Sequence, residues 1–180
     1  MVGVSSADRA PFLLGRDVGV EWRSGLAART EGVLPVSIRK ATSGDRDRLI
    51  ELACAFRREF PTTNRIEPDP TQMGMVVDAC LDYGCILVSE DDGGITGLFA
   101  MLVGSHPLTM ENMAFEVAWY VDPAARGGSA AMRLVKDAEE EARTRGADVM
   151  QIGSPNDSVS KTLGRLGYGR REVEYTKELH

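Results

Sequence analysis

The sequence contains few of the residues that build metal centres and disulfide frameworks. Its 180 residues include three cysteines and two histidines. The cysteines, Cys54, Cys80 and Cys85, have no metal-ligand spacing, and their odd number in apolar surroundings favours reduced, buried thiols. The sequence therefore predicts neither a metal site nor a disulfide scaffold, and this cysteine usage is typical of a cytoplasmic protein.

Long apolar runs are also absent. No window approaches the roughly 20 apolar residues that a membrane-spanning helix needs, and the N-terminus lacks the apolar segment of a signal peptide. We therefore expect a cytoplasmic protein with no membrane partner. The net charge of −6 argues against broad electrostatic binding to nucleic acid. It would suit a cationic substrate, although mild acidity is also common in proteins for which it serves only solubility.

The length predicts a single domain that can bury its own core. Regular hydrophobic patterning begins only after residue 35, because residues 1–34 mix glycines, charges and isolated apolar residues without a sustained period. That segment is compatible with a mobile extension, an additional strand or arm, or an overlong N-terminus. We expect a poorly ordered extension over residues 1–34 and one domain over residues 35–180.

The hydrophobic periodicity of the domain predicts a mixed α/β fold. The predicted order is strand, two helices, three strands, helix, strand, helix and a last strand in the C-terminal segment YGRREVEYTKEL. Antiparallel hairpins come first, and one parallel crossover runs through the longest helix. The clearest helix starts are Thr42 or Ser43 as a cap, and Asp69 before Pro70.

One stretch, residues 114–146, combines an apolar strand, a tight loop and a long amphipathic helix. The first turn of a helix leaves backbone N–H groups without partners, and its dipole favours an anion. Small residues from Gly127 to Ala131 allow a ligand to approach the backbone closely. The junction therefore predicts a phosphate-binding site. A Walker loop is absent, and Asp148 lies at the wrong end of its strand for a dinucleotide fold.

Two segments carry a resemblance to a known family. The pattern VDPxxRGGxxA, from Val121 to Ala131, resembles the acetyl-CoA loop of the GNAT N-acetyltransferase superfamily, whose consensus is Arg or Gln, two residues, Gly, one residue, then Gly or Ala. The segment NDSVSKTLGRLGY, from Asn156 to Tyr168, resembles that family's asparagine-to-LGF or LGY segment at matching spacing. Through element order, the resemblance covers roughly residues 36–179. It implies the GNAT acyl-CoA N-acyltransferase fold, a mixed and mostly antiparallel sheet flanked by helices.

The resemblance also implies acetyl-CoA as cosubstrate and a set of residues that bind it. Backbone amides of the glycine-rich loop would hold the pyrophosphate, and the side chain of Arg126 is suited to phosphate. The end of the central strand would pair with the pantetheine arm, and an N–H near Val121 would polarise the thioester carbonyl. Asn156 matches a position that contacts the same arm. The implied cofactor-binding residues are Trp119, Tyr120, Val121, Arg126, Gly127, Gly128, Ser129, Ala130, Ala131 and Asn156.

Two positions depart from the family pattern. Ser129 stands where the consensus has its first glycine, but serine tolerates a helix N-terminus and its hydroxyl can donate to a phosphate. Leu163 occupies the position where many members carry a tyrosine general acid, and leucine cannot donate a proton. Tyr120, Tyr168 and Tyr175 are other candidates for that role; alternatively, the CoA thiolate takes its proton from solvent.

Two side chains are candidate catalytic residues. An amine that resembles lysine has a pKa of about 10, so it arrives protonated and needs a base. Glu116 is a carboxylate inside an otherwise apolar strand, where burial would raise its pKa toward neutrality. The alternative is that Glu116 faces solvent or pairs with an arginine. His106, with an unperturbed pKa near 6.5, lies in the loop that enters the same strand, although a lone loop histidine is commonly exposed and inert.

The resemblance implies an N-acetyltransferase that transfers acetyl from acetyl-CoA to a primary amine by direct attack in a ternary complex. The amine would belong to a small molecule, a peptide or a modified nucleobase, and the protein would be a monomer or a homodimer. The leucine at the usual tyrosine position motivates an alternative. In that alternative, the chain is a non-catalytic acyl-CoA-binding sensor or interaction module with the same fold.

Overall fold

The computed structural model describes residues 36–60, 67–171 and 177. The predicted extension over residues 1–34 lies outside the described residues. Most of the predicted C-terminal strand also lies outside them. The described residues form the α/β unit that carries the central stretch.

A five-stranded sheet forms the centre of this unit, with strands in the order β1-β2-β3-β4-β5. Neighbours from β1 to β4 are antiparallel, and β4 and β5 are parallel. This arrangement confirms the predicted mixed and mostly antiparallel sheet. The strands are β1 (Ser37–Lys40), β2 (Gly84–Asp91), β3 (Gly94–Ser105), β4 (Asn112–Val121) and β5 (Val149–Gln151).

The described residues include four α-helices, and the two predicted capping signals lie where the helical segments of α1 and α2 begin. Thr42 caps a short 3-10 turn that leads into the first helix, and the Asp69 carboxylate accepts a hydrogen bond from the N–H of Thr71 at 2.9 Å. In the described part of the chain, no helix is long and apolar enough to cross a membrane. The helices are α1 (Arg46–Glu59), α2 (Pro70–Tyr83), α3 (Ala130–Thr144) and α4 (Asp157–Arg165).

The core has two layers, one on each face of the sheet. Leu49 and Leu52 of α1 and Val77 of α2 pack on one face, whereas Leu134 and Val135 of α3 pack on the other. The two layers hold the sheet between helices, as the amphipathic patterns of α1 and α3 predict.

The three cysteines are buried and unbridged, as predicted. Burial raises the pKa of the Cys80 thiol to about 11. Since the thiolate is the reactive form, this thiol is a poor nucleophile at neutral pH. The pKa of the Cys85 thiol is also raised, mainly by burial. Cys80 and Cys85 therefore pack in the core and are poor candidates for a nucleophile.

A β-bulge interrupts β4 in its middle. Ala118 lies opposite Ala100 of β3, but the next pair joins Glu116 with Met101, so Val117 is one residue more than β3 can match. Bulges bend a strand and increase its twist, and they often re-aim a side chain. This one separates Glu116 from the last residues of β4, which lead into the glycine-rich loop.

The packing of α3 predicts how two leucine variants will differ. Leu134 is fully buried, whereas Leu108 in the β3–β4 loop is 87% exposed. Leu134→Ala should lower the free energy of unfolding by about 2–5 kcal/mol, because it leaves a cavity under α3. Leu108→Ala should change it by less than about 0.5 kcal/mol. Urea unfolding followed by circular dichroism measures both, and equal losses in the two variants would contradict this placement of α3.

Candidate active site

Strands β4 and β5 pair over a short distance and then separate. The paired residues are Met113–Phe115 and Val149–Gln151, so β4 continues for six residues beyond its last described partner on that side. The N–H of Asp122, just past β4, donates to the carbonyl of Thr96 at 2.8 Å, toward β3. Because successive strand residues direct their backbone groups to opposite edges, the N–H and C=O groups of Val121 point to the open side. An extended ligand could pair with this edge.

Glu116 lies where the two strands part. Its Oε2 accepts a hydrogen bond from the N–H of Gly153 at 3.0 Å, so the side chain reaches from β4 to the chain just past β5. Burial raises the pKa of Glu116, and the smaller effect of the Gly153 hydrogen bond opposes it. Among the described residues, Glu116 has no arginine partner. The residue is therefore half-buried, and its carboxylate has a raised pKa, the direction that the sequence predicted for a candidate base.

The loop between β4 and α3 has the backbone form of an anion site. Gly127 has a φ of +92°, a left-handed conformation that favours glycine. Within the described part of the chain, a Cβ at Gly127 or Gly128 would meet no atom within 4 Å. Ser129 has helical backbone angles, φ −87° and ψ −6°, which explains how serine replaces the consensus glycine. Gly127, Gly128 and Ser129 are exposed, so the loop that leads into the first turn of α3 is accessible to a ligand.

Arg126 points its guanidinium inward. Its Nε donates to the carbonyl of Val121 at 2.8 Å, and its two terminal nitrogens donate to the two carboxylate oxygens of Glu59 at 2.8 and 2.6 Å. The guanidinium carbon lies 5.3 Å from the ring centroid of Tyr120. The structure thus places the guanidinium of Arg126, which was predicted to bind phosphate, between the end of α1 and the end of β4.

The second segment that carries the resemblance forms α4 and its flanks. Asn156 caps the helix, since its Oδ1 accepts a hydrogen bond from the N–H of Val159 at 3.0 Å. Leu163, at the usual tyrosine position, is buried. The helix cap is thus Asn156 itself, whereas the contact of Asn156 with a pantetheine arm stays a prediction.

The described tyrosines are poor candidates for the general acid that Leu163 cannot provide. The Tyr168 hydroxyl donates to Oε1 of Glu139 at 3.0 Å, and burial together with that carboxylate raises the pKa of Tyr168. Burial also raises the pKa of Tyr120. A raised pKa makes each phenol a weaker acid. Tyr175 lies outside the described residues.

His106 lies in the loop of the β3–β4 hairpin, away from Glu116. Its Nδ1 accepts hydrogen bonds from the N–H groups of Leu108 and Thr109, both at 3.3 Å, so the ring holds the loop in shape. Asn112 begins β4 after this loop, and Glu116 lies about 13 Å further along the strand at the usual rise per residue. The structure therefore does not bring the two candidate bases together, and a catalytic role for His106 stays a prediction.

Two residues of the site carried no signal in the sequence. Gly153 reaches Glu116 across 37 positions, and Glu59 reaches Arg126 across 67. Neither residue belongs to a local motif. Glu59, for example, is one of several charged residues at the end of an amphipathic helix. Only the tertiary fold brings them together.

Several solved structures share this fold. A predicted acetyltransferase from Clostridium acetobutylicum with acetyl-CoA is 15% identical, covers 81% of this chain and 96% of its own, and has a TM-score of 0.66. A transcriptional regulator from Bacillus halodurans C-125 is 18% identical, with coverage of 81% and 100% and a TM-score of 0.64. An aminoglycoside acetyltransferase from an uncultured soil metagenomic sample is 17% identical, with coverage of 82% and 100% and a TM-score of 0.60. At these identities the likeness shows the fold alone.

The family comparison matches a longer part of the chain than the two motifs that carry the resemblance. A search of curated proteins finds no match. The family model described as the acetyltransferase (GNAT) family matches residues 49–168. That range is most of the chain, and it includes the parting of β4 and β5, the glycine-rich loop and α4. The chain therefore belongs to the acetyltransferase (GNAT) family.

Proposed function

We propose that this protein transfers an acetyl group from acetyl-CoA to a primary amine by direct attack in a ternary complex. The observation that carries the proposal is the half-buried Glu116 carboxylate at the point where β4 and β5 part, where burial raises its pKa. A base at this position would face a ligand paired with the open edge of β4. One structure of the same fold was solved with acetyl-CoA.

In this proposal the cosubstrate lies along the end of β4 and the loop that follows. The backbone amides from Gly127 to Ala131, with the hydroxyl of Ser129, hold the pyrophosphate. The open backbone edge from Trp119 to Val121 pairs with the pantetheine arm, beside the Tyr120 side chain. The N–H of Val121 donates to the thioester carbonyl as negative charge develops on its oxygen. The side-chain amide nitrogen of Asn156, whose oxygen caps α4, contacts the same arm.

Glu116 acts as the general base in this proposal. The acceptor amine loses a proton to the carboxylate, directly or through a water molecule, and its nitrogen attacks the acetyl carbon. A C–N bond forms, the C–S bond breaks, and the nitrogen releases its remaining extra proton to solvent to give the neutral amide. The CoA thiolate leaves and takes a proton from solvent, and Glu116 returns its own proton to solvent. The raised pKa of Glu116 suits this role, because a stronger base accepts the amine proton more readily.

We propose a cationic amine as the acceptor, on a small molecule or a peptide. The net charge of −6 favours a positively charged ligand in solution. A structure of the same fold is an aminoglycoside acetyltransferase, which supports a small polycationic amine over a modified nucleobase. An amine panel is the direct test of this choice.

Glu116→Gln should impair acetyl transfer. The loss of a general base should lower kcat/KM by about 10²- to 10⁴-fold and remove the acidic limb of the pH–rate profile. Glu140→Gln, which alters a glutamate side chain that is 77% exposed on α3, is the matched control and should keep wild-type activity. Thiol release from acetyl-CoA, followed with a thiol reagent across an amine panel, measures both.

Two results would count against the proposed reaction. Full turnover by Glu116→Gln between about pH 6 and pH 9 would remove Glu116 from the base role. Tight CoA binding by the wild type, with no amine-dependent thiol release from any amine, would instead favour the non-catalytic acyl-CoA sensor.

The pKa of Glu116 also predicts a pH-dependent change in stability. Burial raises this pKa above its ordinary value of 4.5. Below pH 4.5 the carboxyl is protonated in both the folded and the unfolded chain and does not lower the free energy of unfolding. As the pH rises through the raised pKa, the ionised carboxylate destabilises the folded protein. Glu116→Gln should raise the melting temperature relative to wild type near pH 8, and the two proteins should converge near pH 4. Thermal unfolding across this pH range checks the sign, and a pH-independent difference would contradict it.

Two glycines offer a matched test of the cosubstrate loop. Neither Gly128 nor Gly104 has a positive φ, and in the described part of the chain a Cβ at either would meet no atom within 4 Å. Gly128→Ala should leave the melting temperature unchanged but weaken CoA binding on the order of tenfold, because the methyl group occupies space next to the pyrophosphate. Gly104→Ala, at the far end of β3, should change neither. Wild-type CoA affinity in Gly128→Ala, measured by isothermal titration, would show that the pyrophosphate lies elsewhere.

A further inference from the structure

We infer that Arg126 is a positioning residue, which fixes the open end of β4 through Val121 and Glu59 and does not act by binding phosphate. The inference rests on the proposed function, since it takes the ligand of that edge to be an acyl-CoA. It departs from the role that the family resemblance implies for this side chain. It also adds Glu59 to the site.

The contacts of Arg126 are those of a buried clamp. The ion pair with Glu59 is bidentate, and it is little exposed, at 14% for the Arg126 side chain and 23% for that of Glu59. Arginine makes such planar, forked contacts with well-defined geometry. The Tyr120 ring lies under the guanidinium, which adds a cation–π contact. A phosphate on the glycine-rich loop would have to compete with these partners.

Glu59 explains why Arg126 points toward α1 in the clamp, which consists of Arg126, Glu59 and the Val121 carbonyl. It is the last residue of α1, where the partial negative charge of the helix dipole disfavours a carboxylate. A carboxylate at that position needs a cation, and Arg126 supplies one from the start of the glycine-rich loop. The pair therefore ties the C-terminus of α1 to the end of β4.

The hydrogen bond to Val121 links this clamp to the reaction. The Arg126 Nε–H holds the Val121 carbonyl at 2.8 Å on the edge that β5 leaves open. The held carbonyl shares a peptide plane with the N–H of Asp122, which donates to the Thr96 carbonyl at 2.8 Å, so this plane is fixed at both ends. The Val121 N–H belongs to the preceding plane, where Tyr120 pairs with Leu98 of β3, and the clamp fixes the backbone on the C-terminal side of that N–H. That N–H is the group that the proposed function aims at the thioester carbonyl, and its alignment matters because small misplacements in an active site are costly.

The test compares CoA with pantetheine, which has the same arm but lacks the pyrophosphate. Arg126→Gln should weaken the binding of both ligands by the same factor, roughly tenfold, because the defect lies at the arm. Arg126→Lys, which keeps the charge but loses the forked geometry, should not restore binding. Glu59→Gln should weaken both ligands in the same way, and the double variant should lose little more than Arg126→Gln alone. Titration followed by NMR measures both dissociation constants, because it also detects the weak binding expected for pantetheine.

The control is Arg143→Gln, which removes an arginine that is 63% exposed and pairs with Glu139 on α3. It should leave both affinities unchanged. Melting curves identify variants that do not fold, and Glu59→Gln carries the same comparison if Arg126→Gln is one of them.

A loss confined to CoA and restored by Arg126→Lys would overturn the inference, because it would make Arg126 a phosphate ligand. Tighter CoA binding by Glu59→Gln would overturn it too, since it would mean that the freed guanidinium moves to the phosphates. A wild-type protein that binds neither ligand would refute the proposed function and this inference with it. Wild-type binding combined with normal pantetheine affinity in every variant would refute this inference alone.

Discussion

The parting of β4 and β5 is the constraint on which the rest of the site depends. A β-strand edge carries N–H and C=O groups that need partners, and β5 supplies them over only three residues before the chain turns toward α4. The last part of β4 keeps its antiparallel partner β3 and leaves its other edge open. A sheet interrupted in this way is stable because the α3 and α1 layers cover its two faces. The opening in the sheet is therefore a backbone feature, with side chains arranged around it.

Three contacts set the shape of that opening. Glu116 spans it at the closed end through the N–H of Gly153. Arg126 holds its outer end by joining the Val121 carbonyl to Glu59. In the third contact, Arg48 of α1 pairs with Asp122, just past the end of β4. The strand end is thus anchored to α1 on one side and left free on the other, which is the arrangement that an extended ligand requires.

Local signals predicted the elements, and distant contacts escaped prediction. The capping roles of Thr42 and Asp69 involve residues within three positions of each other, so local sequence alone predicted them. The loop was predictable because glycines are needed where φ is positive. The bulge at Val117 leaves no mark in an apolar run, and the pairing of Glu59 with Arg126 spans 67 positions. The presence of Arg126 in the motif could therefore be predicted from the sequence, whereas the inward direction of its side chain could be learned only from the fold.

The replacement of the usual tyrosine by Leu163 is consistent with where the chemical difficulty of amine acetylation lies. A thiol such as that of cysteine has a pKa of about 8.5, against about 10 for a lysine-like amine. The thiolate is thus a fair leaving group near neutral pH, whereas the protonated amine cannot attack until it loses a proton. Deprotonation, and not protonation of the leaving group, is the step that most needs a protein side chain. The chain uses the tyrosine position for packing, with Leu163 5% exposed, and keeps the half-buried Glu116, whose pKa is raised, where the strands part.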